Sequence, residues 1–390
     1  MSQFYELLKR NVMLFMLIFV MLLFEVLLWN KGSGSLFRPT NITNLINQNG
    51  YVVILTCGML LCILTGGNID LSIGSGVALI GAIGGMLMVN WGQNIFVAML
   101  VCLAFGVFLG AWQAFWIAYM NIPPFIVTLS GMLVFRGLAM SILGGLTISS
   151  FPYSFSNLFI NFIPGSLAPE HTYVVTVAIA IAACLLVIAL AAISRIRKIQ
   201  KGYALEDIRV TIVRLVFFCA VVLGAGHLLG KDKGMPIILV WLALVVLFYH
   251  YFTQNTVPGR RIYALGGNEK AARLSGVNTK RLMFFVYTNM GLLTGLASLM
   301  CIARFDTASP SAGLNYELDA IGACFIGGAS AYGGVGTVFG TVIGAIFMGV
   351  LNNGMSLLGM GADWQRTVKG LVLLAAVVFD VMSQKRKRMS

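Results

Sequence analysis

The sequence predicts an all-α, polytopic membrane protein with about 10–12 transmembrane helices, some broken by Gly or Pro, and both termini in the cytoplasm. Three observations predict it. The chain of 390 residues is 59% hydrophobic, only 10% charged, and has a mean hydropathy of +0.91. No water-soluble chain of that length can hide so much apolar surface, so its solvent is lipid. Runs of roughly 20 mostly apolar residues, the length that crosses a bilayer, recur from one end to the other. Lys and Arg gather in a few connecting segments, the bias of loops held on the cytoplasmic side. A net charge of +13 follows from that bias. Nucleic acid is excluded as a partner, because no basic patch is interleaved with exposed aromatics.

The first apolar run, near 11–29, follows Lys9 and Arg10. It lacks a small-residue cleavage site and is long enough to stay as a span, so it is not a cleaved signal peptide. Runs near 50–66 and 71–89 are separated by "LTGGN", an expected unwound turn. The next two, near 95–119 and 124–144, are divided by "MNIPP", where Pro123 and Pro124 stop or kink a helix. The segment 145–171 carries no Lys or Arg and falls outside. Runs near 172–193 and 209–229 flank the basic "SRIRKIQKGYALEDIR", which falls inside. "GKDKGM" places two Lys outside and dissents from this pattern. A run near 236–253 leads to the basic, polar segment 254–281, again cytoplasmic, and a run near 282–303 follows it. The stretch 317–332 is short and Gly-rich, either a full span or a broken, re-entrant helix buried in protein. Runs near 335–357 and 367–383 precede the tail "SQKRKRMS". An even number of spans reconciles these charges within one transmembrane domain over 1–390.

Glycines four apart, as in "GVFLG" and "GTVIG", suit close helix packing. "GGNIDLSIGSGVALIGAIGG" and "LNYELDAIGACFIGGASAYGG" pair an Asp–Leu or Leu–Asp dipeptide with a Gly-rich run, a weak sign of duplication. The seven cysteines lie in or beside apolar runs, with no CxxC pair or Cys/His cluster, so neither a disulfide nor a metal site is expected.

Charges near lipid are costly and therefore informative, on the order of 2.5–3.5 kcal/mol at a span's centre. Arg136 sits halfway along its segment, either lining a path or tied to a carboxylate or to helix-end carbonyls. Asn68, Asp70 and Ser72 open the third segment. Asp70 either caps that helix or borders a solute route, and Asn68, Asp70, Ser72, Arg136, Glu317 and Asp319 together are the candidates for a substrate path. Glu317 and Asp319 open the tenth in the same manner, where dipole alone favours carboxylates. Asn352 and Asn353 interrupt the eleventh late, and snorkelling accounts for Arg366 and Lys369. No phosphate loop, catalytic triad, HExxH pattern or chain of buried carboxylates appears, so the chain is expected to be a transport protein, not an enzyme, with its energy supplied by a partner.

Four motifs in order, "TGGNIDLSIGS", "NIPPFIVTLSGM", "GRRIYALGGNEKAARLSGVN" and "YELDAIGACFIGGASAYGG", resemble the ribose/xylose-type permeases of bacterial ABC sugar importers over about 40 to 382. The chain is most similar to the longer xylose or multiple-monosaccharide members, because 172–232 forms an added helical pair. The resemblance implies a bacterial inner-membrane permease that pairs with a second copy, a cytoplasmic ABC ATPase subunit and an extracytoplasmic sugar-binding protein, and imports a monosaccharide such as xylose, ribose or galactose. It implies no cofactor of its own, ATP being used by the partner. It places the ATPase-coupling loop within 254–281, with Glu269, Ala271, Ala272 and Gly276 at matching positions. Lys270 stands where an acidic residue is common, and Ser130–Gly131 replaces a more usual Gly–Thr pair. Arg260, Arg261 and Arg273 can meet acidic surface or lipid headgroups; a merely basic cytoplasmic loop is the other reading of the same residues. A secondary sugar transporter working without an ATPase is the alternative function.

Overall fold

Helices make up most of the computed structural model, which describes residues 12–32, 34–165, 169–202 and 208–389. Lys9, Arg10, residues 203–207 of the second basic loop, and the side chains of the tail from 383 onward lie outside what is described. In chain order the helices are α1 (Val12–Lys31), α2 (Pro39–Leu64), α3 (Ile73–Gly85, continued by a π turn Met86–Asn90), α4 (Ile95–Ala118) and α5 (Pro124–Leu143). A short α6 (Tyr153–Ile160) lies in the connection to α7 (Thr172–Gln200) and α8 (Ile208–Gly230). Then come α9 (Ile238–Asn255), α10 (Val257–Gly267), α11 (Glu269–Leu274) and α12 (Thr279–Phe305). The last three are α13 (Tyr316–Ile326), α14 (Val338–Leu357) and α15 (Ala362–Met389).

Among the described residues, 10 helices are long and apolar enough to cross a membrane: α1 to α5, α7, α8, α9, α12 and α14. The chain is an all-α polytopic membrane protein. Helix α13 has 11 residues, about 16 Å of rise against the ~30 Å of a hydrocarbon core. It is a half-helix, and the stretch 317–332 is broken. Pro39 and Pro124 occupy the first positions of α2 and α5, where a missing N–H costs nothing and φ is already helical. The second span begins earlier than its apolar run suggests. "PTNITNLINQNG" is helical, and its Asn41 amide pairs reciprocally with Asn353 of α14, at 3.0 Å each way. A buried amide is tolerated because it is paired.

Helices α2, α3, α12 and α14 form the buried interior, while α1, α7 and α8 keep most of their apolar side chains on the outside. That outside surface is what a lipid-facing helix presents. Hydrogen bonds sort the connections into two ends. At one end, β1 (Ile148–Ser149) pairs with β4 (Thr307–Ala308), and β2 (Phe162–Ile163) pairs with β3 (Met235–Pro236). Lys31 reaches the carbonyl of Leu358 there, and Thr40 reaches Asp232. At the other end, Gly334 N donates to Leu64 O, Tyr263 OH to Gly336 O, and Ala331 N to Asp380 Oδ2. The Lys/Arg-free segment and the 254–281 segment therefore stand at opposite ends of the bundle.

Candidate functional site

Between α2 and α3 the chain leaves the helix in a tight turn. Thr65 Oγ1 donates to Cys62 O at 2.7 Å, and Asn68 Nδ2 donates back to Thr65 Oγ1 at 3.1 Å, so Asn68 serves the turn itself. Asp70 follows, buried. Its Oδ1 accepts from Ser72 N at 2.9 Å and from Ser72 Oγ at 2.7 Å, which caps the opening of α3. Gln113 of α4 donates through Nε2 to Ser72 Oγ at 2.6 Å. The void beside this triad, of about 10 Å³, holds no more than one water. The Asp70–Ser72–Gln113 cluster is closed.

The opening of α13 meets the opening of α3 directly. A Cβ on Gly74 would overlap the carbonyl of Gly313 and the carboxylate of Glu317, so only glycine permits the approach. The two Gly-rich stretches that look like repeats in the sequence thus abut. Arg136, halfway along α5, donates from Nη1 to Pro310 O at 2.7 Å and to Ala312 O at 2.6 Å. It pins the irregular segment between α12 and α13, within electrostatic reach of Glu317. The structure so brings Asp70, Ser72, Arg136 and Glu317 around one junction of α3, α5 and α13.

Asp319 turns away from it. Two residues along a helix rotate a side chain by about 200°, which carries Asp319 to the opposite face. There it pairs with Lys369 of α15 at 2.9 Å and accepts from Tyr51 OH at 3.2 Å. The Tyr51 ring stacks on Tyr316 with centroids 3.8 Å apart. Lys369 is held inside by this carboxylate, where snorkelling was expected.

At the other end, three side-chain caps order the polar segment. Thr256 Oγ1 accepts from Gly259 N, Asn268 Oδ1 from Ala271 N, and Asn278 Oδ1 from Arg281 N. They punctuate α10, α11 and α12. Arg260, Arg261, Glu269, Lys270, Ala271 and Arg273 are exposed, but Ala272 is buried against the bundle. Leu274 is 90% exposed, outside any span. Gly276 ends α11 with φ +83° and has open space around it, so glycine is needed there for the left-handed turn, not for close approach. Beneath α11, a Cβ on Gly266 would overlap Leu64 O and crowd Gly334 N. A clasp of backbones thereby joins α10 to both chain breaks, 65–72 and 327–337.

Gln113 and Leu274 are not among the residues expected from the sequence, though each has a visible signal there. Gln113 is an amide inside an otherwise apolar helix, and Leu274 is the large apolar side chain of the short charged helix α11. Tyr51 and Tyr263 carry no such signal.

The chain matches the family described as "Branched-chain amino acid transport system / permease component" over residues 41–377. It is 37% identical over 375 residues to the xylose transport system permease protein XylH of Escherichia coli, covering 96% of this chain and 92% of that protein. The Haemophilus influenzae XylH is 36% identical over 379 residues, 97% and 98% of the two chains. The ribose import permease protein RbsC of Escherichia coli is 33% identical over 352 residues, 90% and 89%. No solved structure matches.

Proposed function

This chain belongs to the branched-chain amino acid transport system / permease component family, and from that membership we propose that it is the membrane-spanning permease subunit of an ATP-driven monosaccharide importer. It is a multi-pass protein of the bacterial inner membrane. Its relatives are named for xylose transport and ribose import, and a pentose or a similar sugar is the substrate class taken here. The observation that carries the reading is α11: a short, capped helix outside the spans, exposing Leu274 among charged side chains. An apolar anchor ringed by polar groups is how a protein partner is held. A cytoplasmic ABC ATPase subunit docks there, and a sugar-binding protein delivers the solute at the opposite end.

A second copy of the chain completes the permease. Residues 309–315 leave Ser311 and Leu314 exposed on an irregular backbone beside mid-helix Arg136. Lipid cannot satisfy such a backbone, whereas a facing copy or a water-filled path can. The route runs along the junction of α3, α5 and α13, with Asp70, Ser72, Arg136 and Glu317 at its edge, and 172–232 is an added helical pair.

Reconstitution tests the reading. In vesicles holding the permease, its ATPase and its binding protein, labelled xylose or ribose enters only when ATP is supplied on the ATPase side. Uptake by the permease alone, driven by an ion gradient, would overturn it in favour of a secondary transporter.

A further inference from the structure

Helix α7 is longer than the hydrocarbon it crosses. Its 29 residues rise about 43 Å, against the ~30 Å of a bilayer core. At one end of the α7–α8 pair, β2 pairs with β3 and Thr40 reaches Asp232. The surplus emerges at the other end, where Arg195 opens the run "RIRKIQK" and bars those turns from hydrocarbon. Residues 194–214 carry six Lys or Arg against two acidic side chains.

Positive-inside bias accounts for the charge but not for the pattern that leads into it. Leu186 and Leu190 are 61% and 57% exposed, on the face that α7 turns to lipid. At 100° per residue, Arg197 and Lys201 fall within about 60° of both, so the apolar stripe ends in two exposed cations. Lys201 is the residue that caps the helix end. Ile193, Ile196 and Ile199 run along the edge of the stripe and stay half-exposed beside the cations. Water penalises such side chains, whereas acyl chains accept them. Neither Arg197 nor Lys201 has an ion-pair partner among the described residues.

We infer that this end of α7 is a binding site for an anionic phospholipid, with the isoleucines against its acyl chains and Arg197 and Lys201 on its headgroup phosphate. The assignment stands on the fold and not on the importer reading. The stripe runs from lipid-facing leucines into cations without a break, so a lipid lying along Leu186 and Leu190 presents its head to them. Long basic side chains at a span's end carry their charge to the headgroup layer while their stems stay apolar. A net negative headgroup is favoured over a zwitterionic one, because choline would bring its own ammonium against Arg197 and Lys201. Such a lipid fastens the free end of a helical pair that the bundle holds by its opposite end.

The full-length permease, purified in detergent, is titrated with phosphatidylglycerol or phosphatidylcholine of the same acyl chains, and bound lipid is counted by native mass spectrometry. Phosphatidylglycerol should be held at least tenfold more tightly. Arg197→Gln with Lys201→Gln should remove most of that preference, each cation near an anionic headgroup being worth about fivefold. Lys231→Gln with Lys233→Gln, which takes the same charge from the other end of the pair, should keep it. Excess glycerol phosphate should not displace the lipid, since it has no chains for the isoleucines. Equal binding of the two lipids overturns the inference, as does native preference in the Arg197, Lys201 variant or an equal loss in the Lys231, Lys233 variant. Displacement by glycerol phosphate overturns it in favour of a free phosphate site. A variant at Arg197 and Lys201 that keeps its lipid preference but no longer purifies with an ATPase makes this end a protein contact instead. Should that double variant fail to accumulate, Lys201→Gln alone should still cost about fivefold in phosphatidylglycerol affinity, and no loss there overturns the site.

Discussion

Asp319 and Lys369 meet at 2.9 Å with the carboxylate almost wholly out of solvent, so removing either partner strands a charge. Lys369→Met should destabilise the permease by about 3–5 kcal/mol, the usual cost of a buried charge left alone. Adding Asp319→Asn should restore much of the loss, and thermal unfolding in detergent reads both. A double variant as unstable as the single would show that the ion pair is not what ties α13 to α15. Asp70 invites a different substitution. Asparagine keeps an oxygen for Ser72 N, so Asp70→Asn removes charge and spares the cap. With Glu317→Gln it should lower sugar uptake while accumulation stays normal; unchanged uptake in both variants would leave these side chains as helix openings and nothing more. Residues whose partners are local were legible in sequence. The Asp70–Ser72 contact spans two positions, whereas for Arg136 only the kind of partner was legible, carbonyls or a carboxylate, because Pro310 and Ala312 lie far along the chain. Lys369 was not, because its partner stands on another helix and hydropathy alone favours the snorkelled pose.

Among the elements, α11 is the one whose face the sequence could name but not orient. The family resemblance implies a docking loop here, where composition alone fits a basic cytoplasmic loop equally well; Ala272 faces the bundle and Leu274 faces outward, a division that a six-residue helix is too short to announce by periodicity. Leu274→Asp should therefore weaken ATPase retention on purification, as truncating a central anchor does, without disturbing insertion. Retention equal to that of the native permease would return the loop to a solvated, positive-inside segment. Gly276→Leu is a poorer probe, since strain at φ +83° would damage the helix end before any contact. Gly266→Ala tests the neighbouring helix, α10. Its Cβ would part α10 from Leu64 and Gly334, so the ATPase should stay bound while its turnover no longer rises with loaded binding protein. A normal rise would mean that the clasp does not carry the signal. The brevity of α13 was only half legible: glycines signalled a break, but its length depends on Gly74 and Gly313 meeting, a contact between distant segments.

At the scale of the whole chain, the α7–α8 pair has the contacts that an insertion would have. The two helices pack chiefly on each other, with a small contact to α2. The chain enters them after β2 and leaves them before β3, and those strands pair, Ile163 opposite Met235. The ends of the insertion are thus already adjacent. Joining Gly165 to Gly234 through an Asn-Gly turn, the sequence that suits a tight reversal, should leave a permease that folds and keeps its orientation, since two crossings are removed together. Single cysteines at Ser149 and Gln254, in a background without the seven native ones, report the outcome. Ser149 sits in β1 at one end, and Gln254 hydrogen-bonds Tyr263 at the other. In the full chain they should label from opposite faces of the membrane, with Gln254 on the cytoplasmic face where Lys and Arg collect. In the shortened chain the same two faces should react. Labelling of both from one face would overturn the orientation drawn from charge. A shortened chain that inserts correctly but loses its ATPase would make the pair part of the coupling machinery, not an addition to it.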